Sequence, residues 1–267
     1  MILSYLNLKQ EKQAFQTHYN YANCLASLTD KVTLLSKEKL SHLDLPELDC
    51  KLNLINLTKK SLQDEYRIVK IDKDYSYAST SWLPIKGYYL IYNMLLTIEY
   101  ILTGQKQKFN MGHQTCVEEF TSKLFHKKIQ FDNSILNKIF SGTILNLRET
   151  SGANLSTRVN LDRRYQMAMR KVSIYKCDDL KRKLKINLKT KLGKTLFASC
   201  KNNFKMSIFE FPYYMRIRSN YRDFAFIEGV TTLETSNYFT TYYSFIINFC
   251  LALENLKLDL LNMRLKN

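Results

Sequence analysis

The sequence is poor in the two residues that most often interrupt helices. It contains only 7 Gly and 3 Pro among 267 residues, which argues against a turn-rich β-sandwich. Hydrophobic residues make up 45% of the chain and aromatic residues 13%, and this composition excludes a disordered chain. A chain of this length can bury a full core without disulfides or metals. We therefore expect long helices in an all-α fold.

Closely spaced cysteines and histidines are also absent. The six cysteines lie 23 or more residues apart, with no CxxC motif and no Cys/His pair at metal-ligand spacing. None of the four histidines belongs to an HExxH motif. The sequence therefore predicts reduced thiols, no bound metal and no cofactor.

Targeting and nucleotide-binding signals are missing as well. No basic stretch followed by an apolar run opens the chain, and the most apolar segments are interrupted by Asn93 and Glu99 or by Thr240 and Asn248. No GxGxxG, GxxxxGK[ST] or GxSxG motif occurs, so dinucleotide, NTP and hydrolase-elbow chemistry have no support. We expect a cytoplasmic protein that does not engage a membrane.

The positive charge is concentrated in one segment. The net charge is +16, and residues 151–205, with 15 basic and 3 acidic residues, contribute +12 of it. Aromatic residues such as Tyr165 and Tyr175 are interleaved with the cations. Clustered cations neutralise phosphates, and rings stack on unpaired bases, so this segment predicts RNA binding. The candidate RNA-binding residues are Arg163, Arg164, Arg170, Lys171, Lys181, Arg182, Lys183, Lys185, Lys189 and Lys191.

Other interpretations of the basic segment remain open. A lysine-rich face can serve only to keep a protein soluble. The segment could also dock an acidic protein partner, which would make the chain a non-catalytic helical adaptor. An anionic membrane surface fits less well, because no strong apolar face accompanies the charges.

Hydrophobic periodicity and helix-boundary residues predict the order of elements. We expect an amphipathic helix over about 10–40 and then, over 41–77, a connection that contains short elements of uncertain type. A central helix should run from Pro84 to Gly104, followed by a helix over about 114–126 opened by a Thr115/Glu118 capping box and a helix over 131–148. A basic segment over 158–205, which could be helix or strand, and a final helix over about 235–261 should complete the chain. As one domain, the chain divides into an N-terminal helix and connection (1–79), core helices (80–150), a basic insertion (151–205), and a motif with the final helix (206–267).

The stretch MRIRSNYRDF lies just before the final helix. It contains Arg216, Arg218, Tyr221 and Asp223. On a helix, Arg218 and Arg222 would share one face. Such arginines can bind a phosphate bidentately or stabilise the charge at a cleaved phosphodiester. Equally, they could form an ion-paired cluster that fixes helix packing.

Three segments together resemble the HEPN superfamily of helical bundles. They are WLPIKGYYLIYNMLLTIEYILTG followed by GHQTCVEEF, and RIRSNYRDFAFIE with the helix that follows it. The resemblance covers roughly 80–126 and 210–260, and His113 matches the histidine that often opens the short helix. It implies an RNA-directed protein of a toxin-antitoxin or anti-phage defence system, a homodimer or a protein complex, and metal-independent ribonuclease activity in active members.

The chain departs from the family at the catalytic motif. Active members carry an Arg followed after four to six residues by a His, whereas Arg216 has Tyr221 at that position and Arg218 has Asp223. Tyr titrates near 10 and Asp near 4, so neither replaces an imidazole at neutral pH. The expected protein is thus an RNA-binding relative that is either a ribonuclease or catalytically degenerate, with Arg216, Arg218, Tyr221 and Asp223 as candidate catalytic residues.

Overall fold

The structure is a computed structural model in which residues 43–105, 112–125, 128–131, 134–144, 161–202, 205–221 and 231–265, and also 19, 22 and 32–34, are described. The helices are α1 (Leu45–Ile71), α2 (Tyr75–Thr103), α3 (His113–Glu119), α4 (Ser134–Ser141), α5 (Leu161–Lys183), α6 (Lys191–Asn202), α7 (Glu210–Tyr221) and α8 (Thr232–Leu265). After α3 the chain continues as a π-helix over Phe120–Phe125. The all-α class is confirmed in its coarse form, because the described residues are mainly helical.

Four short strands form two small antiparallel pairs beside the helices. The strands are β1 (Val32–Leu34), β2 (Ile129–Phe131), β3 (Thr143–Ile144) and β4 (Lys205–Met206). β1 pairs with β2, with Val32 opposite Phe131, and β3 pairs with β4, with Thr143 opposite Met206.

Helix α2 is the centre of the bundle and packs against α1, α7 and α8. Apolar residues on several of its sides are buried, including Leu83, Leu90, Met94 and Ile98. A helix that is apolar all round belongs in a protein core. The prediction of a central helix ending at Gly104 is confirmed, and Gly104 adopts the left-handed conformation (φ 66°) that terminates many helices.

Gly87 allows α2 and α8 to approach closely. A Cβ atom at this position would lie 2.7 Å from Cδ1 of Ile246, a fully buried residue on α8. Only a residue without a side chain fits this contact without moving its neighbour. The contact fixes α2 immediately before Tyr88 and Tyr89.

The predicted start of α2 at Pro84 is wrong, because the helix begins at Tyr75 and contains Pro84 in its interior. An internal proline removes one backbone hydrogen bond and normally costs about 3 kcal/mol. Here Pro84 and its neighbour Leu83 are buried in the core. The burial of α2 on several sides outweighs the local cost.

The predicted connection over 41–77 is also wrong, since most of it is the 27-residue helix α1. Asp44 caps this helix by accepting a hydrogen bond from the Glu47 backbone N–H at 3.5 Å, and Pro46 lies in the first turn, where no backbone N–H is needed. Its buried residues occur once every seven positions, at Leu48, Ile55, Leu62 and Val69. Such a narrow apolar stripe gives only a weak helical periodicity in a segment of mixed charges, which is why the sequence did not predict the helix.

Two further helix predictions are too long. The helix over 10–40 is contradicted at Val32–Leu34, which form β1, although Tyr19 and Ala22 are helical. The remainder of that prediction lies outside the described residues. In the described part of the predicted helix over 131–148, only α4 is helical, because Phe131 belongs to β2, Gly142 (φ 87°) follows α4 in a conformation that favours glycine, and Thr143–Ile144 form β3. Residues 132, 133 and 145–148 of that prediction lie outside the described residues.

The helix predicted at about 114–126 and the final helix predicted at about 235–261 are both present at the expected places. The helix expected at 114–126 is present as α3 and its π-helical continuation, but the cap is Gly112 rather than a Thr115/Glu118 box. The final helix is longer than predicted. It begins after a capping box in which the Thr231 backbone N–H donates to Glu234 Oε2 (3.1 Å) and the Glu234 N–H donates to Thr231 Oγ1 (3.2 Å).

The basic segment, whose helix or strand character the sequence left open, folds as α5, a turn and α6 in its described part. Val172 and Met169 of α5 are buried in the main core, and Tyr165 donates a hydrogen bond to the Met206 carbonyl at 2.9 Å. The described side chains of these two helices and of the turn between them therefore divide between a buried face and an exposed basic face.

None of the helices in the described parts of the chain is long and apolar enough to cross a membrane. The cysteines Cys50, Cys116, Cys177 and Cys250 are thiols that form no disulfide with one another.

Candidate functional site

Arg216 on α7 rests on three tyrosine rings. Its guanidinium carbon lies 5.1 Å from the ring centre of Tyr88, 5.6 Å from that of Tyr89 and 5.9 Å from that of Tyr213. Each distance is within the range of a cation–π contact. Tyr88 and Tyr89 come from α2, while Tyr213 precedes Arg216 by about one helical turn on α7. The rings therefore position the guanidinium group from two helices.

Arg216 has no carboxylate partner among the residues that the structure describes. Its Nε atom is buried and makes no hydrogen bond there. A charged group in such surroundings is normally paired, because its removal from water costs several kcal/mol. Cation–π contacts with the tyrosine rings compensate only part of this cost. Because the positive charge of the guanidinium group is not fully compensated, the group is suited to bind an anion.

His113, the first residue of α3, lies beside these side chains. We call the group formed by Arg216, His113, Tyr88, Tyr89, Tyr92 and Tyr213 the Arg216 cluster. Its Nδ1 atom is 3.1 Å from the Tyr88 hydroxyl oxygen, and its ring centre lies 4.8 Å from that of Tyr92 and 5.6 Å from that of Tyr89. Tyr88 thus contacts both His113 and Arg216, which are more than a hundred residues apart in sequence. The fold brings an imidazole to the arginine although no histidine follows it in the chain.

The surroundings keep His113 neutral. Partial burial lowers the pKa of His113 below its ordinary value of 6.5, and the positive charge of Arg216 lowers it further. Two tautomers satisfy the contact with Tyr88, which either donates to Nδ1 or accepts from it. In the second arrangement, Nε2 carries a lone pair and can accept a proton.

Tyr88 and Tyr92 remain protonated. Burial raises the pKa of Tyr88 above its ordinary value, and Arg216 opposes this effect. Burial also raises the pKa of Tyr92, and so does the hydrogen bond that its hydroxyl donates to Cys116 Sγ at 3.3 Å. Neutral hydroxyls and rings supply hydrogen bonds and stacking surfaces, but no negative charge that would neutralise Arg216.

A pocket of about 350 Å³ adjoins this cluster, between α3, α5 and α7. Tyr213 lines the pocket and also contacts Arg216, so the two features share a wall. The remaining walls include two further tyrosines and three acidic residues, Tyr175, Tyr214, Glu118, Asp179 and Glu210.

Glu210 is the most buried acid in the pocket, with 9% of its side chain exposed. Its Oε1 atom accepts a hydrogen bond from the Lys176 ammonium group, whereas Oε2 is buried and has no hydrogen-bond partner in the described structure. Burial raises the pKa of Glu210, and Lys176 opposes the shift. The pocket therefore contains one acceptor whose hydrogen bonding is incomplete.

The candidate catalytic residues from the sequence are not all brought together. Arg216 is at the centre of the cluster. Arg218 instead lies over the ring of Tyr214, with its guanidinium carbon 5.8 Å from the ring centre. Tyr221 is the last residue of α7, and only its helical backbone is described; Asp223 and Arg222 lie outside the described residues.

The candidate RNA-binding residues follow α5 and the turn after it. Lys181 is half-buried, and Lys185, Lys189 and Lys191 are exposed. Arg182 and Lys183 share one carboxylate, that of Asp179, at 3.3 Å and 2.9 Å. Arg170 is half-buried, while the side chains of Arg163, Arg164 and Lys171 are outside the described part. Lys183 lines the pocket beside Tyr213, so the basic surface reaches the Arg216 cluster.

Sequence reasoning missed the tyrosines that support the arginine. Tyr88 and Tyr89 read as ordinary residues of a buried helix, and no local pattern connects them with α7. His113 was noted only through the family resemblance. Within the described residues, no group of three or more His, Cys, Asp and Glu side chains is arranged to hold a metal ion.

We expect the replacement Arg216→Gln to raise the pKa of His113, because it removes the neighbouring positive charge. The value should stay below 6.5, since burial is the larger cause of the shift. Measuring the imidazole Cε1–H chemical shift by NMR as a function of pH would test this.

Arg218→Gln is the matched control, because this residue is two positions away on the same helix and lies over Tyr214. It should leave the His113 titration almost unchanged. Equal shifts in the two variants would mean that Arg216 has no special electrostatic coupling to His113.

Comparisons of the chain with protein-family models, with curated proteins and with solved structures found no match.

Proposed function

We propose that this protein binds single-stranded RNA and holds a backbone phosphate at Arg216, beside His113, in a helical bundle of the HEPN type. The observation that carries the proposal is a half-buried guanidinium group without a carboxylate partner among the described residues, supported by three tyrosine rings. An arginine presented in this way binds a phosphate through charge-assisted hydrogen bonds.

The proximity of His113 supports the family assignment. Active HEPN proteins place an arginine and a histidine together through a contiguous motif, which this chain lacks. Here the same two residue types both contact Tyr88 although they come from α3 and α7. The missing motif is thus compatible with an RNA-directed site of the same composition.

The exposed lysines extend the site along the RNA. Lys189, Lys191 and Lys194 are exposed at the α5–α6 turn and the start of α6, and no carboxylate in the described structure pairs with them. Unpaired surface cations neutralise phosphates and release condensed counterions. Single-stranded RNA fits better than a duplex, because Tyr89 and Tyr213, the two rings beside Arg216 that are partly exposed, can stack only on unpaired bases.

Arg216→Gln should weaken the binding of a short single-stranded RNA by about 1 to 3 kcal/mol, the range for removal of a charge-assisted hydrogen bond. Fluorescence anisotropy with a labelled oligonucleotide measures the effect. Arg218→Gln removes the same charge from the same helix and should weaken binding less. If both variants bind as the wild type does, the phosphate is not held at Arg216.

Replacing Lys189, Lys191 and Lys194 together with Gln should flatten the dependence of RNA affinity on salt. The slope of log K against log salt should fall by about 0.7 for each phosphate that the variant no longer neutralises. The control is the same change at Lys60, Lys70 and Lys73, three exposed lysines on α1 and the turn after it. Equal slopes in the two triple variants would contradict an RNA path over α6.

Metal-independent cleavage is a second candidate activity, and the observation that favours it is the position of the His113 imidazole, whose Nδ1 atom lies 3.1 Å from the hydroxyl of Tyr88, the residue whose ring also contacts Arg216. His113 would take the proton of the 2′-hydroxyl as this oxygen attacks phosphorus. Arg216 would stabilise the added charge on the phosphoryl oxygens. The imidazolium then returns the proton to the departing 5′-oxygen, leaving a 2′,3′-cyclic phosphate and a 5′-hydroxyl.

If the protein cleaves RNA, His113→Gln should abolish cleavage in the presence of EDTA while RNA binding is retained. A radiolabelled oligonucleotide resolved on a denaturing gel would report cleavage, and anisotropy would report binding. Persistence of cleavage in His113→Gln would point instead to Tyr221 or Asp223. Complete absence of cleavage by the wild type would leave a catalytically degenerate RNA-binding protein.

The biological setting follows from the family resemblance alone. A role in a toxin-antitoxin or anti-phage system, a cytoplasmic location and a homodimer or protein complex stay predictions. The alternative of a helical adaptor predicts that a protein partner remains bound after nuclease treatment of the purified sample, whereas an RNA-binding protein would release nucleotides.

A further inference from the structure

We propose that the pocket between α3, α5 and α7 receives the base of an unpaired ribonucleotide that carries an exocyclic amino group. This inference rests on the proposed function, because the phosphate of the same RNA would lie at Arg216. It adds a base preference to a site that would otherwise bind RNA without regard to sequence.

The walls of the pocket suit a flat aromatic ring. Tyr175 and Tyr214 lie with their ring centres 4.9 Å apart and line the pocket together with Tyr213. Val117 and Val172 add buried apolar surface. Base–aromatic stacking is a general means of holding unpaired nucleotides, and a volume of about 350 Å³ is within the usual range for ligand pockets.

The polar groups of the pocket are unsuited to a phosphate. Three carboxylates and three lysines line it, and two of the lysines, Lys176 and Lys183, are ion-paired with Glu210 and Asp179, so the pocket has no excess positive charge to attract a second anion. Asp179 is already engaged by Arg182 and Lys183. The anion should therefore remain at Arg216, on the other side of Tyr213, and the pocket should take a neutral part of the same nucleotide.

Two carboxylates of the pocket, those of Glu118 and Glu210, have oxygen atoms that can accept further hydrogen bonds. Glu118 accepts one hydrogen bond, from the Gln114 side-chain amide at 3.1 Å, and no cation in the described structure forms an ion pair with it. The buried Oε2 of Glu210 accepts none there. Carboxylates only accept hydrogen bonds when ionised, so the complementary ligand presents N–H groups.

An exocyclic amino group meets this requirement best, because it offers two N–H donors on one nitrogen, whereas uracil offers only its N3–H. Cytosine offers its N4 amino group, a known partner of Glu and Asp side chains. Uracil has the same ring size but carries a carbonyl oxygen at that position, which would face the carboxylates. Cytosine and uracil are therefore a matched pair that differs in the donor at position 4 and in the protonation of N3.

The test compares a labelled U9 nonamer with a nonamer that has one cytosine at its centre, by anisotropy at fixed salt. The wild type should bind the cytosine-containing RNA about 5-fold or more tightly, the lower end of the range for one specific base contact. In Glu118→Gln and in Glu210→Gln this ratio should fall towards one. Glu210 is also ion-paired with Lys176, so Glu118→Gln, on an exposed side chain, is the deciding variant.

Glu119→Gln is the matched control, since it makes the same charge change one residue away and Glu119 does not line the pocket. It should preserve the cytosine preference. Equal and salt-dependent binding of the two RNAs by the wild type would overturn the base pocket while leaving the proposed function intact. A preference that survives in Glu118→Gln and Glu210→Gln would also overturn it. Failure to bind either RNA would overturn both proposals.

Discussion

The burial of α2 on several sides is the constraint on which the rest of the structure depends. This helix contacts α1, α7 and α8, and its apolar residues form much of the common core. Gly87 sets how closely α8 approaches it. Because Tyr88 and Tyr89 follow directly, the packing that stabilises the bundle also places the rings that support Arg216. A change in the α2–α8 contact would therefore shift the rings that support Arg216.

In the Arg216 cluster, tyrosine rings hold a positively charged guanidinium group in place although no carboxylate among the described residues neutralises it. Tyrosine faces attract the guanidinium group and exclude water from part of it, while the buried Nε atom has no acceptor in the described structure. Partial burial lowers the pKa of His113, and the same positive charge lowers it further. Stabilisation of the arginine and neutrality of the histidine are thus two effects of one arrangement. Binding an anion would relieve both the unmet charge and its repulsion of a protonated imidazole.

The sequence predicted those parts of the fold that have local signals. The apolar stripe of α8 and the left-handed glycine at the end of α2 are examples. It failed where tertiary packing outweighs local preference, as at Pro84, or where the stripe is narrow, as in α1. Arg216 was found because arginines cluster in its segment. That Arg216 lies close to His113 could not be predicted from the sequence, because no periodicity links residues on α3 and α7. The pocket depends on a third helix, α5, and was equally inaccessible.

The pairing of α2 with α8 also has a consequence for synthesis of the protein in the cell. About 130 residues separate the end of α2 from the start of α8. At a translation rate of about 5 to 20 residues per second, the apolar surface that α8 will cover is exposed for at least about 6 seconds after α2 is made. Lys59 of α1 likewise has no ion-pair partner until α8 is made, because that partner is Glu254, 2.8 Å away in the folded protein. Until α8 leaves the ribosome, the apolar surface of α2 that it will cover is therefore open to temporary contacts with α1, with α3 or with a chaperone.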